Sequence, residues 1–273
     1  MRSVWGTLSG VVMVLSLVGA AYAQSDAHSS SGANAAVARE KAIDDLVTAY
    51  HVLYHEGIVD AFGHITVRDP ANPSHYLMAK SVQPPFVTRA DIVELDADSN
   101  PVSKDAGHVP LERFIHGEIY RLRPDVNSVV HSHAAAVLPF TVAKDAPLRA
   151  ICHTCGFLGA GAPLFEIREY AGDGSNMLVQ NKALGAALAK TLGQNKVVLM
   201  RGHGFTAAGG SVKEAVYNAI NTVLDAKVEM DALRLGNVTY LSDAEAAAVS
   251  KTHNASLDFS WEVWAKRASG ELR

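Results

Sequence analysis

Cysteine is almost missing from this chain of 273 residues: only Cys152 and Cys155 occur, so no disulfide framework holds the fold and its stability must come from burial. An excess of positive charge is missing as well. The 24 Lys and Arg stand against 28 Asp and Glu, and the formal charge of -4 excludes a broadly basic surface for nucleic acid. Charged residues make up 19% and hydrophobic residues 48%, which excludes a disordered, collagenous or fibrous chain and leaves one large core or at most two domains. No internal repeat and no linker divides the sequence.

A bilayer-spanning run is also wanting at the N-terminus. Residues 1–23 carry the single cation Arg2, the apolar run Val11 to Ala20 and the small-x-small close Ala21-Tyr22-Ala23. Gly6, Ser9 and Ser16 interrupt a stretch already short of the roughly 20 apolar residues of a span. This is the layout of a signal peptide cut before Gln24. The expected product is exported, periplasmic or secreted, with no stable membrane anchor after cleavage. Residues 24–34, rich in Ser, Gly and Ala, are expected to form a flexible leader, and one domain to fill 35–273.

What is present alternates in period. Val37, Ile43, Leu46, Val47, Tyr50 and Leu53 recur at helical spacing up to the stop at Gly57. Ile65 to Val67, Tyr76 to Met78 and Ile92 to Leu95 are strand-like runs between proline breakers. Leu111 to Leu122 returns to helical spacing before Pro124, and Ser128 to His133 reads as a strand. Asn181 to Leu192 is predicted helical, Lys196 to Met200 a buried strand, and Ser211 to Leu235 a long helix ended by Gly236-Asn237. The pattern is that of one α/β domain, a central β-sheet covered by helices on both faces.

Chemistry concentrates in histidine. His131 and His133 lie at i and i+2 of a strand and project from the same face, which is half a metal site. Glu112 and His116, at i and i+4 of the preceding helix, share a face, and only Arg123 to Asn127 join that helix to the strand. His203, in Arg201-Gly202-His203-Gly204, follows a buried strand where α/β sheets place functional groups. Three neutral imidazoles with a carboxylate or water suit Zn, and also Fe, Co or Mn, one ion per chain with a position open to substrate. Cys152-His153-Thr154-Cys155 spells C-x-x-C, but no thioredoxin-like βαβ context surrounds it, and buried free thiols are the expected state. Tyr170, Tyr217, Trp261 and Trp264 read as packing residues.

Glu112-Arg113-Phe114-Ile115-His116, Arg123-Pro124-Asp125-Val126, Val130-His131-Ser132-His133 and Arg201-Gly202-His203-Gly204 resemble, in order and spacing, the class II aldolase/adducin family over roughly Ala35 to Leu241. The resemblance implies a three-layer α/β/α domain with a mostly antiparallel central sheet, commonly a homotetramer with active sites at subunit interfaces. It also implies that His131, His133 and His203 bind a divalent metal, with Glu112 as fourth ligand or acid/base residue. His116 is then a support that orients the site.

The departures redirect the substrate. Family members that act on sugar phosphates carry Gly-Asn-x-Ser and Thr-Pro-Ser-Gly loops that cradle phosphate, where this chain has Gly63-His64-Ile65-Thr66 and Ala79-Lys80-Ser81-Val82. His64, Lys80 and Ser81 are expected to meet a small-molecule carboxylate instead. His153 falls near the place of the aldolases' tyrosine proton donor, so Glu112 and His153 are the candidates for returning a proton to carbon. Together with Phe62-Gly63-His64-Ile65 and Gly156-Phe157-Leu158-Gly159, the pattern looks closest to the decarboxylase-like branch, which is linked to hydroxy-aromatic and carboxy-muconic semialdehyde substrates. The expected activity is a metal-dependent carbon–carbon lyase. An aldolase on a non-phosphorylated hydroxy-keto substrate is the alternative, with a non-catalytic adducin-like interaction domain and a three-histidine iron oxygenase as readings of other classes.

Overall fold

The helix expected from the apolar spacing before Gly57 opens the domain in the computed structural model, which describes residues 16–272. It is α1, Ser16–His55, and it buries Leu46, Ala49, Tyr50 and Leu53 along one stripe. Residues 1–15 of the expected signal peptide lie outside the described residues. The segment 24–34, expected as a flexible leader, falls within the range of α1. Residues 32–34 are exposed, and close packing begins at Ala42. Among the described residues no helix is long and apolar enough to cross a membrane.

Strands β1 (His64–Arg68), β2 (Tyr76–Ala79) and β3 (Ile92–Leu95) form an antiparallel meander. Helix α2 (Arg113–Leu122) then leads into β4 (Ser128–Ser132). Short helix α3 (Leu138–Val142), edge strand β5 (Leu164–Phe165) and α4 (Arg168–Ala171) precede α5 (Lys182–Leu192), and β6 (Val197–Met200) and β7 (Gly204–Gly209) form the last hairpin. The chain ends with α6 (Val212–Leu235), α7 (Asp243–Asn254) and α8 (Leu257–Ala268). Asn181 and Ser211 cap α5 and α6 by accepting the Leu184 and Glu214 backbone N–H groups, which fixes both helix starts at the positions the sequence marks.

The strands join in one sheet in the order β3-β2-β1-β4-β7-β6-β5. Every pairing is antiparallel except the two-residue β5–β6 contact. Alternation along β4 sorts the core into two layers. Val130 packs with Leu46, Val216 and Ala219 of α1 and α6, whereas Val129 packs with Ile115, Ile119 and Leu188 of α2 and α5. The three-layer α/β/α arrangement and its mostly antiparallel sheet are thus as expected.

The face covered by α2 and α5 is the one that matters, because His131 follows Val129 by two residues and shares its side of β4. A buried clamp holds that layer. Arg123, at the C-terminal end of α2, donates to both carboxylate oxygens of Asp125 at 2.7 and 2.8 Å and to the Gly193 and Asn195 carbonyls beyond α5. That clamp is the structural content of the Arg-Pro-Asp run.

Candidate metal centre

Three elements bring four ligand atoms together. β4 delivers His131 and, just past its end, His133; the tight turn between β6 and β7 delivers His203; Glu112 stands immediately before α2. The sheet register supports this: His131 opposes Thr206 and Ser132 opposes Phe205, so the start of β7 lies beside the end of β4. The ligand atoms of Glu112, His131, His133 and His203 all lie within 4.8 Å of one another. His133 Nε2 is 2.9 Å from His131 Nε2 and 3.0 Å from His203 Nε2, and Glu112 Oε2 is 3.4 and 3.5 Å from the same two nitrogens.

The outer bonds fix which nitrogen faces inward. His131 Nδ1 lies 3.1 Å from the Phe205 carbonyl and His203 Nδ1 2.9 Å from the Met177 carbonyl; a carbonyl only accepts, so both Nδ1 atoms carry the proton and both Nε2 atoms keep a lone pair. The Val179 N–H donates to Glu112 Oε1 at 2.9 Å and leaves Oε2 turned to the imidazoles. Lone pairs aimed at one another at such separations repel unless a cation lies between them. A tetrahedral shell with bonds of about 2.0–2.1 Å has edges of about 3.3 Å, close to the observed spacings, so the residues fit a divalent ion of the zinc type.

Electrostatics favour a neutral His133 and an ionised Glu112. Burial, then the neighbouring His131 and His203, push the His133 pKa down to about 4, which keeps it neutral and able to ligate. Burial alone would raise the Glu112 carboxyl, but His131 and His203 outweigh it and hold the group well below the usual carboxylate range. His203 is depressed by burial yet raised on balance by Glu112.

A cavity of about 400 Å³ opens beside the cluster, lined by Phe62, Leu111, Leu178 and Val82 with His64, Ser81, Gln83, Glu112 and His133. His64 and Ser81 therefore stand where a substrate would. His64 is held from behind: its Nδ1 meets His116 Nε2 at 2.7 Å, His116 Nδ1 meets Thr66 Oγ1 at 2.8 Å, and Thr66 Oγ1 meets the Tyr120 hydroxyl at 2.7 Å. Burial holds His64 well below its ordinary pKa and His116 at about 3, so the row is neutral. His116 thus orients the cavity's histidine by direct contact.

Two expected site residues lie elsewhere. Lys80 pairs with Asp91 at 3.0 Å and does not line the cavity, whereas Ser81, at a bend where the Val82 N–H returns to the Lys80 carbonyl, does. His153 is exposed, 3.0 Å from His253, on the 3-10 turn His153–Leu158 that packs on α7, so in its own chain it is outside this cavity. Free thiols are corrected as well: Cys152 and Cys155 are joined as a disulfide. Sequence reasoning missed Phe62, Gln83, Leu111 and Leu178 as walls and Val179 as the anchor of Glu112. Val179 is 67 residues from Glu112, and its contribution is a backbone N–H, for which no side-chain signal exists.

Comparison with known proteins gives a consistent result. Residues 44–230 match the Class II Aldolase and Adducin N-terminal domain. A protein named decarboxylase tropJ, from Talaromyces stipitatus, is 36% identical over 243 residues, covering 81% of this chain and 91% of that protein. A 3,4-dihydroxyphthalate decarboxylase of Arthrobacter keyseri is 33% identical over 186 residues, covering 64% of this chain and 72% of that protein. Among solved structures, an L-fuculose 1-phosphate aldolase from Glaciozyma antarctica PI12 superimposes with a TM-score of 0.71 over 86% of this chain and 91% of that one. At 22% identity that likeness is one of fold.

Proposed function

This chain belongs to the class II aldolase and adducin family, and from that premise we propose that it is a divalent-metal-dependent lyase that decarboxylates a hydroxy-aromatic or enol/keto carboxylate. Its standing as a lyase follows from the family and from relatives named decarboxylases. The observation that carries the finer reading is the convergence of three imidazole Nε2 atoms and Glu112 Oε2 beside a cavity that Glu112 and His133 line together with His64, Ser81 and the apolar Phe62, Leu111 and Leu178.

A divalent ion held by His131, His133 and His203 with Glu112, zinc first and Mn, Co or Fe as alternatives, supplies Lewis-acid stabilisation for negative charge on a substrate oxygen as the carbon–carbon bond breaks. The chain's own residues do the rest. Phe62, Leu111 and Leu178 exclude water from the face of a planar substrate, while His64 and Ser81 hold its carboxylate by hydrogen bonds. When CO2 departs, the bonding pair stays on carbon and a proton must return. Glu112 is the carboxylate placed to move it: held ionised, it takes the hydroxyl proton of the bound substrate and returns that proton to carbon, with Oε1 fixed by Val179 and Oε2 turned to the imidazoles. His153 enters the proposal only as a group presented by a neighbouring subunit, in a homotetramer of exported chains.

The test is a substrate panel. Metal-loaded protein should release CO2 from a dihydroxy-aromatic or enol carboxylate, with sugar phosphates inert. Retro-aldol cleavage of a sugar phosphate, with no carboxylate consumed, overturns the reading.

A further inference from the structure

The C-x-x-C pair occupies a place that a purely structural disulfide does not require. Cys152 precedes the 3-10 turn His153–Leu158 and is half-buried; Cys155, inside that turn, is fully buried. The bond closes a ring across a sequence separation of 3, and so short a loop constrains the unfolded chain least. What surrounds the sulfurs is unusual for a staple. Asp225 of α6 is completely buried, with Oδ1 3.7 Å from Cys152 Sγ and 3.2 Å from the Ile151 N–H, while its Oδ2 has no hydrogen-bond partner. The Thr154 hydroxyl lies 3.5 Å from each sulfur, and Cys152 Sγ, Cys155 Sγ and the Asp225 carboxylate lie within 4.8 Å of one another.

A buried carboxyl with one unpartnered oxygen is costly wherever it has no task. We propose that Cys152, Cys155 and Asp225 form a second reactive centre, a dithiol–disulfide pair that exchanges two electrons with small thiols while Asp225 carries a proton for the sulfurs. The direction of attack follows from exposure. An incoming thiolate reaches Cys152 Sγ, forms a mixed disulfide there and breaks the Cys152–Cys155 bond; the electron pair leaves on Cys155, which takes the proton of the Asp225 carboxyl. A second thiol attacks the mixed disulfide and departs with the first as a small disulfide, and Cys152 is released as a thiol. Two thiols are oxidised and one protein disulfide is reduced, with two protons transferred. Burial, opposed by the Ile151 N–H, pushes the Asp225 carboxyl up to about 7, so it can give and take a proton near neutrality. The centre is independent of the histidine cluster.

The experiment uses the full chain, glutathione as the thiol, and mass and thiol titre as readouts. Reduction of the native protein should expose two thiols per chain, oxidised glutathione should remove both, and the circular dichroism should not change. Cys155→Ser should trap one glutathione on Cys152, whereas Cys152→Ser should react at least about tenfold more slowly because Cys155 is buried. Asp225→Asn should slow reduction by about tenfold or more while leaving the metal content of the histidine site intact. Thiols released only after denaturation would leave a structural staple and overturn the proposal. Reduced protein that takes up a second zinc ion per chain, lost in Cys152→Ser, would overturn it in favour of a metal site, and an unchanged rate in Asp225→Asn would refute the proton-carrying role.

Discussion

Gly204 is where the fold and the centre depend on the same missing atom. A Cβ built at this position overlaps the Ser132 carbonyl oxygen of β4 and stands 3.0 Å from the carbon of that carbonyl and 3.1 Å from His133 Cα. The obstacle is backbone, which cannot rotate away as a side-chain tip can. In Gly204→Ala the start of β7 must retreat from β4 by about 1 Å to restore ordinary contact. Overpacking of this kind costs about 1–3 kcal/mol, and one weakened ladder hydrogen bond adds about 1 kcal/mol, so a loss of about 3 kcal/mol is expected. For a chain of this size that lowers Tm by roughly 6–12 °C. The same displacement drags His203 from His133, and metal affinity should fall about 10- to 100-fold. Gly57→Ala is the control: its φ of +69° makes alanine strained, but nothing lies within 4 Å of the added methyl, so about 1 kcal/mol and no change in metal affinity are expected. Calorimetry with a competitive chelator titration reads both quantities. A Gly204→Ala protein that melts within about 2 °C of wild type and holds its metal equally well would refute the claim that β4 and β7 must approach this closely.

Wild-type protein should hold about one divalent ion per chain and His131→Ala or His203→Ala should lose it, as read by elemental analysis; unchanged content in both variants removes the metal centre. Glu112→Gln should lower turnover by about two to four powers of ten with metal content near that of wild type, whereas a parallel fall in metal affinity would make Glu112 chiefly a ligand. Asp225 gives a pH signature: burial pushes its carboxyl up to about 7, above the ordinary aspartate value of 3.8, so its contribution to stability is fully present below that lower value and is lost as pH rises through 7. The loss is on the order of a few kcal/mol, and Asp225→Asn should flatten the fall in Tm between acid and neutral pH; an equal slope in wild type and variant shows that the carboxyl is not burdened by burial.

Much of the fold was legible because its signals are local. The i, i+2 spacing of His131 and His133 and the helix starts at Asn181 and Ser211 are written within a few residues, and each stands where the sequence marked it. Pairing Glu112 with His116 on one helix face was close: Glu112 precedes the first turn of α2, which sends its carboxylate to His131 and His203 and His116 to His64. Lys80 and Ser81 illustrate the limit of a motif read as a block, since Asp91 draws the ammonium of one away while the other lines the cavity. Leu111 and Leu178, in separate loops, came to line one cavity only when α2 and α5 packed on the same sheet face. The disulfide was illegible for a different reason. What distinguishes it from a pair of idle thiols is Asp225, some seventy residues away on α6.

The row His64, His116, Thr66 and Tyr120 has a grammar of its own. Each link holds a single hydrogen, so the links cannot be reversed one at a time without placing two protons, or none, between neighbours. With every link pointing forward from the Tyr120 hydroxyl, His64 offers an N–H to the cavity; with every link pointing back, it offers a bare lone pair. A carboxylate accepts hydrogen bonds and selects the first orientation, while a hydroxyl can settle for either. Which of the two His64 presents is therefore set by an alignment whose far end, at Tyr120, does not line the cavity.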